Sequence, residues 1–181
     1  MRFPDTRLRL LAALICAAAP HCQLDAQTSS EVKPPFGLVF GQTSDAVRAV
    51  LEEGQVEIED VGDIDGNLKL TATRLPQQTI ESAVMTFDRN QLAAVELVYR
   101  HPDWNASRYR TFYSQVRQNI SSKFGTGSLI AKSQSEDDDG LLETLMGHEW
   151  RMRRTMLQLY YYSASCSEHT FFSVSIHYKT I

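Results

Sequence analysis

Cysteine is scarce in this chain. Among 181 residues it stands only at positions 16, 22 and 166. Cys16 and Cys22 fall in an N-terminal stretch that reads as a leader. Its removal would leave Cys166 alone, so no intrachain disulfide is expected even in an oxidising compartment. Long apolar runs are missing too. Spanning a hydrocarbon layer of roughly 30 Å takes about 20 apolar residues, and no stretch after the first 26 approaches that length, so no transmembrane span is expected in the mature chain. Basic charge is also short. Lys and Arg number 18 against 22 Asp and Glu, and the net charge goes from −4 to −5 once Arg2, Arg7, Arg9, Asp5 and Asp25 leave with the leader. A nucleic-acid binder needs a basic face to displace counterions from phosphates, so nucleic acid is not an expected partner.

Catalytic signatures are equally sparse. His148-Glu149 begins like a zincin helix, but Met152 stands where the second histidine is required, and the segment alternates as a strand. Asp63 to Gly66 and Asp137 to Gly140 imitate the middle of a calcium loop. The first ligand position would then be Val61 or Ser135, and the bidentate Glu would be Ala72 or Met146. Both read better as turns, so no metal site and no cofactor is expected. There is no Gly-x-Ser-x-Gly elbow for serine hydrolysis. Gly125-Thr126-Gly127 closes a helix instead of opening one, which is the wrong end for binding phosphate.

What the chain does have begins with Arg2, Arg7 and Arg9, the apolar stretch Leu8–Ala19, and Leu24-Asp25-Ala26 as a cleavage site. That order reads as a signal peptide over residues 1–26, hence a periplasmic or secreted protein. Acylation at Cys22 fits poorly, because bulky His21 precedes it where a small residue belongs. Residues 27–35 are polar and end in Pro34-Pro35, a flexible lead-in.

From 36 to 181 one domain is expected, in which a helix followed by strands occurs twice, over about 36–101 and 102–181. Thr43 or Ser44 caps the first helix, Val47, Val50 and Leu51 form its stripe, and Gly54 offers a left-handed end. Strands follow at 56–59, 68–73, 83–87 and 92–99. The last two form a hairpin around Asp88-Arg-Asn-Gln91, with Ala93, Val95, Leu97 and Tyr99 on one face. Asn105 or Ser107 caps the second helix, where Tyr109, Phe112, Tyr113, Val116, Ile120 and Phe124 recur at helical spacing and Arg108, Arg110, Ser114, Arg117 and Ser121 face water. Strands at 129–132, 149–152, 155–162 and 170–178 complete the pattern. The fold class is α+β: two sequential helix-plus-antiparallel-strand units, one or two layers of sheet, helices packed on one face.

The binding candidates lie in the last two strands. Alternation sends Tyr161 to one face and Tyr160 and Tyr162 to the other, where Met156, Phe171 and His177 join them in an aromatic strip of the composition that recognises proteins. Arg153 and Arg154, at the preceding hairpin tip, add a basic contact. The competing reading is that both sheet faces are covered. Cys166 with His169 or His177 supplies the alternative, a thiol-dependent hydrolase.

Residues 41–51, Gly-Gln-Thr-Ser-Asp-Ala-Val-Arg-Ala-Val-Leu, resemble the start of the first helix in small envelope proteins of the outer-membrane-assembly lipoprotein type and in β-lactamase-inhibitor-protein-like modules. The resemblance implies a non-catalytic module that binds an envelope or secreted protein through its sheet face.

Overall fold

The computed structural model describes residues 31–64, 67–137, 140–167 and 169–181. The expected leader, the Cys22 acylation site, the Asp65-Gly66 turn and the centre of the acidic loop lie outside the described residues.

Helix α1 (Ser44–Glu53) begins where Thr43 accepts a hydrogen bond from the Ala46 amide, satisfying one of the orphan donors of the first turn. It ends differently from expectation. Gly54 keeps φ at −77°, and the left-handed position falls on Gln55 at φ 56°. Four strands follow, β1 (Glu57–Ile64), β2 (Asn67–Thr73), β3 (Ile80–Asp88) and β4 (Gln91–Tyr99). The β3–β4 turn puts Arg89 and Asn90 at φ 48° and 60°, the doubly left-handed geometry that matches strand twist. Helix α2 (Ala106–Phe124) is capped by Asn105, whose side chain accepts from the Arg108 amide at 3.0 Å. Gly125 closes it at φ 83°. Strands β5 (Ser128–Glu136), β6 (Leu142–Arg151), β7 (Thr155–Cys166) and β8 (His169–Thr180) complete the chain.

Among the described residues these eight strands join one antiparallel sheet in the order β1-β2-β3-β4-β8-β7-β6-β5. Each half is a meander, and the halves meet where β4 pairs with β8, Val95 opposite Tyr178 and Leu97 opposite Ile176. One sheet thus replaces the two possible layers, and β6 runs seven residues further upstream than its sequence pattern suggests. The β3–β4 register shifts between Thr86 and Phe87, which pair with Ala94 and Leu92. The shift makes Ala93 the extra residue and brings Leu92, not Ala93, into the core beside Val95.

The core has two lobes. Val47 and Leu51 of α1 pack with Leu70, Met85, Phe87 and Val95, while Tyr109 and Tyr113 of α2 pack with Trp150, Leu159, Tyr161 and Ile176. The Tyr109 hydroxyl accepts from the His101 amide at 2.8 Å and donates to the His101 carbonyl at 3.1 Å, fixing the first turn of α2 to the end of β4. The lead-in is not loose where it is described. Val32 is only 5% exposed and belongs to the α2 lobe.

Candidate functional site

Side chains of directly paired residues in an antiparallel sheet share a face. Gln158 pairs with His177, Tyr160 with Ser175, Tyr162 with Ser173 and Ala164 with Phe171, and on the other side of β8 His177 pairs with Glu96. These residues alternate with the core set Leu157, Leu159, Tyr161, Val174 and Ile176. Four of the expected binding residues, Tyr160, Tyr162, Phe171 and His177, therefore lie on one face across β7 and β8, each half-buried.

Two contacts organise them. The rings of Tyr160 and His177 stand edge to face, centroids 5.1 Å apart and planes at 81°, and those of Tyr162 and Phe171 lie 6.0 Å apart. The Arg100 guanidinium sits over the Phe171 ring at 4.6 Å, a cation–π contact. Tyr160 can lie flat because its partner is Gly147; a Cβ at Gly147 would come within 2.7 Å of the Tyr160 ring. Tyr162 donates its hydroxyl proton to Glu143. That bond raises the Tyr162 phenol, while burial and then the Glu149 carboxylate raise Tyr160, so both remain protonated donors at neutral pH.

His177 sits at the centre. Its Nε2 lies 2.8 Å from the Ser175 hydroxyl and 3.6 Å from Glu96. Burial first, and the Lys179 ammonium second, hold its pKa at about 4, so at neutral pH the Glu96 contact is not an ion pair. Burial also raises the Glu96 carboxyl, against the pull of Lys179 and Lys69. Serine, histidine and glutamate meet here, but Ser175 and Glu96 approach the same ring nitrogen. A proton relay needs them on opposite nitrogens, so this constellation holds the imidazole in place without activating a nucleophile.

Three polar contacts on this face hold charged side chains. Arg151 bonds Glu149 at 3.1 Å, Gln158 donates to the other Glu149 oxygen at 2.8 Å, and Arg100 reaches Glu81 at 3.4 Å.

Arg153 and Arg154 do not join the strip. They are exposed at the β6–β7 turn, and Tyr162 stands seven residues along β7 from Thr155, about 23 Å at 3.3 Å per residue. His177 is likewise out of reach of Cys166, because its partner Gln158 lies eight residues from Cys166 on β7, about 26 Å. His169 pairs directly with Cys166 at the β7–β8 hairpin end. Among the described residues no group of three His, Cys, Asp or Glu side chains is placed to hold a metal ion, and no helix is long and apolar enough to cross a membrane.

One site residue escaped sequence reasoning. His148 appears there only as the start of a zincin match that fails, yet its Nδ1 is 2.6 Å from the Tyr113 hydroxyl and its Nε2 3.4 Å from Arg117. The period-2 pattern around Trp150 could have placed it on the helix side of β6. Nothing in sequence spacing links residue 148 to residue 113. Compared with family models, with curated proteins and with solved structures, the chain matches none.

Proposed function

We propose that this chain is an exported, non-catalytic binding module that recognises another protein through the sheet face carrying Tyr160, Tyr162, Phe171 and His177. In this reading both helices cover the opposite face. Support comes from the central register. Val95 and Leu97, in the α1 lobe, lie opposite Tyr178 and Ile176, which pack in the α2 lobe, so the side chains beneath the two helices point the same way. On this reading the alternate set forms a band from Glu96 through His177 and Tyr160 to Tyr162, free of helix cover. The shared face of these four residues is the observation that carries the reading. Half-exposed aromatics suit a protein surface better than a charged ligand, because aromatic area is what interfaces bury. The N-terminal pattern of residues 1–26 carries the export element of the reading. Arg153 and Arg154 serve as a separate rim contact.

The test is a photo-crosslinking side chain at position 162 in cells, paired with capture by the purified mature chain. One defined envelope or secreted protein is expected in both, and the Tyr160→Ala, Tyr162→Ala double variant should lose it while melting normally. Unchanged capture by that folded variant rejects this face as the binding surface.

A further inference from the structure

A second site, apart from the sheet strip, lies between the outer flank of α2 and the start of β5. Ser114, Arg117, Gln118 and Ser121 stand at i, i+3, i+4 and i+7 and so occupy one flank of the helix. After Gly125 turns the chain, Thr126 comes round to face them. Strand β6, paired with β5 through Leu129 and His148, brings in the imidazole. Together they line an open surface pocket of about 510 Å³.

Its walls are held from outside. The Trp150 indole donates to the Gly125 carbonyl at 2.9 Å, tying the end of α2 to β6. Gly127 lies so close to that indole that a Cβ would meet the ring at 2.5 Å. The position therefore admits only glycine without displacing a buried tryptophan.

The chemistry of the lining is one-sided. It offers a guanidinium, an imidazole, three hydroxyls and an amide, and no carboxylate. Among the described residues Arg117 has no carboxylate within ion-pair distance; its one polar partner is His148 Nε2, at 3.4 Å. That contact is long for a hydrogen bond. With the proton on Nδ1, Nε2 accepts from Arg117 and Nδ1–H donates to the Tyr113 oxygen. On the Nδ1 side the opposite tautomer is equally well served. Burial pushes the Tyr113 phenol up to about 12, so it keeps its proton and can donate to Nδ1 at 2.6 Å. Nε2–H then points at the guanidinium, and two donors converge where only a bound acceptor satisfies both. Among the described residues no other titratable group faces the ring from its strand neighbours, since Leu129 of β5 and Leu159 of β7 are its cross-strand partners.

We propose that this pocket binds a small tetrahedral oxyanion, phosphate or a phosphomonoester, held by Arg117 and by His148 in its Nε2–H tautomer, with the Ser114, Ser121 and Thr126 hydroxyls completing the cradle. The imidazole exchanges its proton position through solvent, and none is gained or lost. The pocket exceeds what a bare phosphate fills, which leaves space for the organic part of an ester.

Inorganic phosphate titrated into the isotope-labelled full mature chain, followed by imidazole nitrogen NMR, tests this. The expected result is saturable movement of the His148 nitrogens from the Nδ1–H to the Nε2–H pattern, with His101, His169 and His177 unmoved. Sodium chloride at matched ionic strength should not reproduce it. Arg117→Ala, at an exposed helix position, should weaken binding by about tenfold or more, and Ser121→Ala by less. Glycerol 3-phosphate and vesicles containing phosphatidic acid form the second and third arms. Tighter binding of the soluble ester assigns a free phosphomonoester, and tighter binding of the vesicles a lipid headgroup. Shifts shared by all histidines, shifts unaffected by Arg117→Ala, or no binding in any arm overturn the site.

Discussion

The backbone amide of Val32 donates to the hydroxyl of Thr155 at 3.1 Å, joining residues 123 positions apart. Both residues are 5% exposed, so water cannot replace the bond. Thr155→Val keeps the shape and removes the acceptor, leaving a buried N–H unpaired at a cost of about 1–3 kcal/mol. The urea midpoint should fall accordingly, and the Val32 amide should exchange with solvent faster than its neighbours in the sheet. Thr155→Ser, which retains the hydroxyl, should lose less. Equal losses in the two variants would show that packing, not the hydrogen bond, holds this segment.

His177 makes stability depend on pH. Its folded value of about 4 lies below the ordinary 6.5 because burial, and then Lys179, disfavour the imidazolium. Below about pH 6.5 the unfolded chain takes up a proton that the folded chain refuses. Stability should therefore fall as pH drops through that window and level off below about 4. Between about pH 7.5 and 5 the loss from this group is on the order of 2 kcal/mol. Glu96, raised by burial, acts in the opposite sense, since the folded state favours its protonated form. Urea melts of the wild-type chain and His177→Gln at the two pH values isolate the histidine, and the variant should show a flatter profile.

Gly147 underlies the flat seat of Tyr160. An added methyl would meet the Tyr160 ring at 2.7 Å and Ala131 Cβ at 3.2 Å. Gly147→Ala should tilt the ring outward, disturb its edge-to-face contact with His177, and cost about 1–3 kcal/mol as overpacking usually does. Thermal melting and the His177 ring proton shifts check both. In the Gly147→Ala, Tyr160→Ala double variant the penalty should be largely relieved, because the obstructing ring is gone.

Some elements were legible because their cause is local. The α2 cap at Asn105, its stripe from Tyr109 to Phe124 and the tight turn at Arg89-Asn90 each depend on residues within a few positions of one another. The assignment of Tyr160 and Tyr162 to one face and Tyr161 to the other was legible for the same reason: alternation is a property of a single strand. The Ala93 bulge was not, because an extra residue shows only against the partner strand. Nor was most of β6, whose residues 142–147 carry no clean alternation and are held extended by β7.

Local chemistry thus settled the two helix-and-strand units and the residues of the aromatic strip. Long-range packing alone decided that β4 meets β8 in one continuous sheet, that Val32 enters the core, and that Arg153 and Arg154 stand apart from the tyrosines. It also decided that His148 faces Tyr113 and Arg117. Backbone geometry constrains near neighbours in the chain, whereas these contacts join residues separated by tens of positions, and only the burial of the two lobes brings them together.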